Sequence, residues 1–304
     1  MSGDNAVSVS EDRPPLLVAV PNVSEGRDRA AVERIGRAFA PARLLDLHSD
    51  ADHGRSVYTL AARQGELAEG LVAGAAAARA AIDLAAHEGL HPFVGALDVL
   101  PVVYRAEAER GPACAEVLTA AGRIGAELGL PVLLYGELAT RPEHVERADL
   151  RRGGWRELAR RLGAGELVPD FGPAWADPRA GVVLATARAP LIAFNVDLAS
   201  DDLELARRIA AEIRESGGGL AGVRAIGLAL AARGRVQVST NVHDHRATPL
   251  AEIVAAVRAR AAVAEAELVG LAPEAALEGF PSDVALRGFS PERHVLENAL
   301  RSLE

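Results

Sequence analysis

Residues His87-Glu88-Gly89-Leu90-His91 spell H-E-x-x-H. In zinc hydrolases two histidines one helical turn apart hold the metal and the glutamate activates water. That chemistry needs an unbroken helix. Gly89 is a helix-ending residue type, and Pro92 biases His91 away from helical backbone. The longer zinc pattern requires glycine at position 94 and a ligand at 97, where the chain has Val94 and Leu97. A helix ending near His87, with His91 in the following turn, is therefore expected, and the zinc pattern is read as a chance match. Two further groupings, His48, Asp50, Asp52 and His53 in "HSDADH" and His243 with His245 in "HDH", read as polar turns at the rim of a site. No metal is expected.

The chemistry left is proton transfer. The 33 basic residues are all arginine, which excludes a Walker-A lysine, a Schiff base and a lysine nucleophile. The single Cys114 allows no internal disulfide and reads as an inert thiol in an Ala-rich helix. The eight histidines are then the side chains that titrate near neutral pH. A net charge of −9 argues against a nucleic-acid binder, and no apolar run is long enough to span a membrane. The opening MSGDNAVSVSEDRPP lacks the pattern of a signal peptide, so residues 1–15 are read as a disordered tail and the cytoplasm is the expected setting.

The elements that must carry these groups follow from hydrophobic period and turn signals. "LLVAVPN" reads as a strand, residues 24–40 as a helix, and "ARLLDLHSD" and "RSVYTLAAR" as two strands joined at Gly54. A long Ala-rich helix and the strand "GALDVLPVVY" complete β-α-β-β-α-β. The order recurs after residue 190: the strand "PLIAFNVDL", a helix N-capped at Ser200, and a hairpin about Arg233-Gly234 in which Val236, Val238 and Thr240 alternate with Gln237, Ser239 and Asn241. A helix through "TPLAEIVAAVRARAAVAEAE" and a last strand at "LVGLAP" follow. The expected fold is α/β (α+β), two ferredoxin-like βαββαβ subdomains related by internal duplication, at 16–180 and 181–304. Between them lies the Pro- and Gly-rich stretch 168–181, and ligand sites favour such boundaries.

"VPNVSEG" (20–26), "HEGLHPFVGALDV" (87–99), "PVLLYGE" (131–137), "PDFGP" (169–173), "LIAFNVDL" (191–198) and "QVSTNV" (237–242), in that order and over nearly the whole chain, resemble the formiminotransferase family. The resemblance implies transfer of a formimino group between N-formimino-L-glutamate and tetrahydrofolate, which serves as co-substrate. It also implies a two-subdomain fold, a homodimer, and the histidine of the "HP" pair, His91, as the catalytic residue. The family's folate loop corresponds to Gly172, Pro173, Ala174, Trp175, Ala176, Asp177, Pro178, Arg179, Ala180 and Gly181. A family aspartate near the catalytic histidine corresponds to His48 here. Asp50, Asp52, Asp98 and His48 therefore stand as candidate partners of His91.

A formimino transfer suits imidazole, since one proton must leave the attacking nitrogen and another must reach the departing one. Both substrates carry carboxylates, whose natural partners in this chain are arginines; Arg55, Arg179 and Arg188 lie in or beside the motifs. The cluster Arg147, Arg151, Arg152, Arg156, Arg160 and Arg161 reads as a solvated helix face. Asn22, Asn195 and Asn241 end strands at matching places, as ligand contacts or as turn residues. Transfer of a formyl group instead fits the same residues, and folate binding without turnover is the alternative of a different class.

Overall fold

A computed structural model describes residues 13–230 and 233–303. Most of the expected N-terminal tail, residues 1–12, lies outside the described residues. Leu16–Ala19 (β1) and Asn22–Val23 (β2) are two pieces of one strand line, broken at Val20-Pro21, where proline has no N–H for the ladder. Arg29–Ala38 (α1) follows, capped by Asp28, whose Oδ1 accepts the Ala31 N–H at 3.0 Å. Then come Arg43–Asp50 (β3), Arg55–Arg63 (β4), Leu67–Ala81 (α2) and Leu97–Val103 (β5). The strands order as β3-β4-β1/β2-β5, all neighbours antiparallel.

The second half repeats the plan with Ile192–Leu198 (β8), Leu203–Ile213 (α6), Val223–Leu230 (β9), Arg235–Val242 (β10), Leu250–Arg258 (α7) and Val263–Val269 (β11). Its four strands order as β9-β10-β8-β11, again antiparallel. Counted within each half, both sheets run second-third-first-fourth, so the duplication is one of topology as well as of pattern. The first half is extended by Glu107–Leu128 (α3), Val132–Leu134 (β6) and Val183–Arg188 (β7). β7 lies parallel to both β5 and β6, completing seven strands.

Several expectations are corrected. β7 was not foreseen; it carries the first sheet to Arg188, so the sheets change over at 189–191 and not at 180/181. α2 stops at Ala81, six residues before His87, because Leu84 leaves the helix to donate its N–H to the Arg179 carbonyl at 2.9 Å. α7 ends at Arg258, and "VAEAELV" is the strand β11: Ala266 and Leu268 are buried in the core while Glu265 and Glu267 turn to the other face. α6 is capped by Asp202, and Ser200 accepts the Asp202 N–H instead.

Each sheet buries one face under its helices. α1, α2 and α3 cover the first around Leu17, Tyr58, Leu60 and Leu100, and α6 and α7 cover the second around Phe194, Val196 and Val238. The uncovered faces look toward each other. At one end, Leu296 and Leu300 of the C-terminal helix Leu296–Leu300 pack on Leu16, Val18 and Val103. At the other, Gly154–Gly163 (α5) seats Leu158 and Leu162 on Val99, Leu133 and Leu184. Burial of those two leucines is worth roughly 3–6 kcal/mol, and it fixes the preceding short helix Arg147–Leu150 (α4) beside the open middle. The strip left bare, Asn22, Val57, Thr59 and Pro101, floors a cleft between the halves.

Candidate active site

His91 stands at the centre of this cleft, on the loop between α2 and β5. The loop is strapped to the β3–β4 turn: Leu90 N–H donates to the Asp52 carbonyl at 3.1 Å and His91 N–H to that of His53 at 3.4 Å. The approach is close enough to demand two glycines. Gly54 has φ +62°, and a Cβ on Gly89 would lie 2.5 Å from the His53 carbonyl oxygen. The loop's other end is tied to the next strand by the buried Asp98, whose Oδ1 accepts the Val94 N–H at 2.8 Å.

Among the described residues no carboxylate pairs with the His91 ring. Its Nε2 lies 2.6 Å from Arg55 Nη1. A guanidinium can only donate, so Nε2 is the acceptor and the neutral ring carries its proton on Nδ1. Burial, then Arg55, Arg151 and Arg147, hold the His91 pKa well below 6.5. α2 ends ten residues before His91, so the partial negative charge of a helix C-terminus is not at the ring, and arginines surround it instead.

The candidate partners are engaged elsewhere. Asp50 accepts the His53 N–H at 2.8 Å and faces His53 Nδ1 at 3.4 Å; burial pushes its carboxyl up, but the His53 bonds outweigh this and hold it below the ordinary carboxylate range. Asp98 also binds Arg151 of the α4 C-terminus. Asp52 supplies only its backbone carbonyl to the loop. His48 faces Glu267 of the second half at 3.8 Å, and burial lowers its pKa. Asn195 donates to Glu267 at 3.2 Å, Asn22 donates to the Val20 carbonyl at 2.9 Å, and Asn241 lines the cleft.

The cleft has two compartments that share Arg55, His91, Ala193 and Asn241. The inner one, smaller and more enclosed, adds Arg147, Arg151 and Arg188; the outer one, larger and more open to solvent, adds His53, Arg224 and Ser239 among others. The expected solvated cluster thus divides. Arg147 and Arg151 enter the cleft, whereas Arg152, Arg156, Arg160 and Arg161 engage Asp149, Trp155, Glu157 and the Asp149 carbonyl outside it. Charge runs alone could not divide them; α4 and α5 differ in what they pack on. His53, now beside His91 at a ring-centroid distance of 6.5 Å, had been read only as a polar turn residue.

The Gly172–Gly181 loop does not line this cleft. Its end pairs with the segment after His91, through Ala96 N–H to the Ala180 carbonyl at 2.8 Å and Val182 N–H to Val94 at 2.9 Å. Trp175 is 60% exposed, and Arg179 pairs with Asp83 on the outer surface. His87 and His91 do not share a helix face: the His87 ring packs edge-on against Phe93 at 4.5 Å. Among the described residues no group of three His, Cys, Asp or Glu side chains is arranged to hold a metal ion, and no helix is long and apolar enough to cross a membrane.

Two duplicated α+β halves enclose an arginine-lined cleft whose two compartments meet at the His91 imidazole, a lining suited to anionic small molecules. Comparison with known proteins carries this further. Residues 16–188 match the family described as formiminotransferase domain, N-terminal subdomain, and residues 193–279 the formiminotransferase domain. The chain belongs to the formiminotransferase family and is a transferase of one-carbon groups. It is 37% identical over 270 residues to a glutamate formimidoyltransferase of Thermoplasma acidophilum, covering 85% of this chain and 88% of that one. A glutamate formimidoyltransferase of Streptococcus pyogenes is 36% identical over 267 residues, covering 85% and 89%. The formimidoyltransferase-cyclodeaminase of Gallus gallus is 38% identical over 275 residues, and there the match spans 50% of the longer protein.

Proposed function

We propose that the protein is a glutamate formimidoyltransferase that moves the formimino group between N-formimino-L-glutamate and tetrahydrofolate in this cleft, with His91 as the proton carrier. The observation that carries the reading is the neutral imidazole of His91 held 2.6 Å from Arg55 where the two compartments meet. The names of the relatives similar to it along most of their length support it.

The secondary amine of the reduced pterin forms a bond to the carbon of the protonated formimino group, the C=N π pair moves onto the imino nitrogen, and a tetrahedral adduct results. The attacking nitrogen then loses its proton to His91. The imidazolium gives that proton to the glutamate nitrogen, the lone pair of the imino nitrogen re-forms the C=N bond as the old carbon–nitrogen bond breaks, and glutamate leaves as a neutral amine. His91 ends as it began. A depressed pKa makes the ring a base at the outset and its conjugate acid a strong donor in the second step, worth roughly 10²–10⁴-fold. Arg55 competes for the lone pair of Nε2, so an incoming carboxylate that draws the guanidinium away frees the base. Holding both substrates at the junction supplies much of the remaining acceleration.

The test is a spectrophotometric transfer assay with formimino and formyl donors and the His91→Ala variant. Transfer from the formimino donor, nearly abolished in His91→Ala with folate binding retained, is expected. Transfer from the formyl donor alone, or full turnover by the variant, refutes the reading. A homodimer is part of the same reading, and light scattering of the purified chain checks it.

A further inference from the structure

The two compartments differ in charge, and the difference assigns them. The inner one is lined by Arg55, Arg147, Arg151 and Arg188. Arg151 has Asp98 as its counter-ion. Among the described residues no carboxylate pairs with Arg55, Arg147 or Arg188. Arg55 meets a histidine, Arg147 lies over the Tyr135 ring at 5.9 Å, and Arg188 donates only to the Ala189 carbonyl at 3.0 Å. Burial, as the leading cause, lowers both Arg55 and Arg188 to about 10. Partly buried guanidiniums without anions are costly, and an arriving carboxylate repays that cost. The floor adds a second unanswered group: the Oγ1 of Thr59 is buried with no hydrogen-bond partner.

The outer compartment is nearly balanced. Its Arg224 is paired with Glu146 at 2.9 Å, and Glu215 stands near Arg214 on the same wall. Ala193, Val223, Ala225 and the 47% exposed Ile226 give it an apolar side, and it is the larger space.

We propose that the inner compartment seats the glutamyl dicarboxylate of the amino-acid substrate, through Arg147 and Arg188 with Arg55, while the outer compartment takes the reduced pterin. This rests on the transferase reading above. It gives the reaction a direction in space: the one-carbon group hangs from the amino-acid nitrogen toward His91 and crosses there to the pterin. Arginine forks suit two carboxylates on one short chain. Three inner arginines that no carboxylate pairs with among the described residues, against one bound dianion, also give the selectivity against monocarboxylates that a balanced site lacks.

The test is calorimetry on the full chain with L-glutamate, glutarate, butyrate, tetrahydrofolate and tetrahydropteroate, the last lacking the glutamyl tail. L-Glutamate and glutarate are expected to bind and butyrate to bind far more weakly. Arg188→Gln and Arg147→Gln each weaken L-glutamate about tenfold or more, raise the KM for the amino-acid donor by a similar factor, and leave tetrahydropteroate within about twofold of the parent. Arg188→Lys restores part of the loss, which separates lost charge from lost fold; Thr59→Val, which keeps all the arginines, weakens L-glutamate by a smaller factor. If the arginine variants weaken tetrahydrofolate but neither tetrahydropteroate nor L-glutamate, the inner compartment holds the folate tail and the assignment is overturned. Unchanged L-glutamate binding and donor KM in both variants overturn it as well, while leaving the transferase reading intact. Glutamate binding through these arginines without any transfer sinks the transferase reading and leaves the dicarboxylate site standing.

Discussion

Replacing Arg55 by methionine removes the one charge in contact with the His91 ring. The magnitude can be bounded. Two unit charges about 4 Å apart interact with about 1 kcal/mol in water and about 4 kcal/mol at the effective dielectric of a protein surface. The cleft is partly open, so the repulsion that guanidinium exerts on imidazolium falls between, or about one to three pH units at roughly 1.4 kcal/mol per unit. The sign is fixed: Arg55 opposes protonation of His91, so its loss raises the pKa. The base must be deprotonated to act, and the acid limb of the kcat/KM profile therefore moves to higher pH by at least about one unit. Arg55→Lys, which keeps a charge, moves it much less. The profile is measured with both substrates over pH 5–9 (roughly the span of imidazole titration), with NMR titration of the His91 ring as the direct check. An acid limb that stays in place in Arg55→Met, with the ring pKa unchanged, refutes the claim that Arg55 tunes His91.

Other outcomes follow from the same geometry. Asp98→Asn strips the buried Arg151 of its counter-ion and is expected to cost about 3–5 kcal/mol in urea unfolding, more than Asp52→Asn, whose side chain takes no part in the loop. Gly89→Ala forces a Cβ to within 2.5 Å of the His53 carbonyl, so the loop must shift; a loss of about 1–3 kcal/mol and of most turnover is expected, with the far-UV circular dichroism unchanged. His48, His87 and His91 all have folded pKa values lowered chiefly by burial. Their stabilisation is fully present above the unfolded value of about 6.5 and is lost as pH falls from there toward the folded values. The melting temperature should accordingly begin to drop below about pH 6.5, and a flat profile down to pH 5 (roughly where acid effects on native proteins set in) speaks against these shifts. Trp175 stands on the loop outside the cleft, so tetrahydrofolate binding should leave the affinity of Trp175→Phe at the parent value. A large loss there returns the folate to that loop.

The local pattern carried much of this molecule. Alternation in "RVQVSTNV" and the turn at Gly54 appear as read, because each depends on neighbours a few residues apart. The family motifs pointed to His91, and it stands at the cleft centre. "VAEAELV" was misread because alanine serves helix and strand alike, and the pairing with β8 decided between them. α2 likewise ended early for a bond to Arg179, about a hundred residues downstream.

What the sequence by itself determined was most of the order of the elements, the duplication and, through the family motifs, the histidine proposed above as the proton carrier. The surroundings of that histidine were decided only in three dimensions. Arg55 of β4, Arg147 of α4 with Arg151 at its C-terminus, and Arg188 of β7 come from three separate segments and converge because α5 is anchored by Leu158 and Leu162 and because β7 lies beside β5. Asp50, Asp98 and His48, each near enough in sequence to serve His91, were drawn to His53, Arg151 and Glu267 instead. Periodicity encodes which face of an element is buried; it does not encode which other face that one will meet. The charge around the His91 ring is set by that second fact.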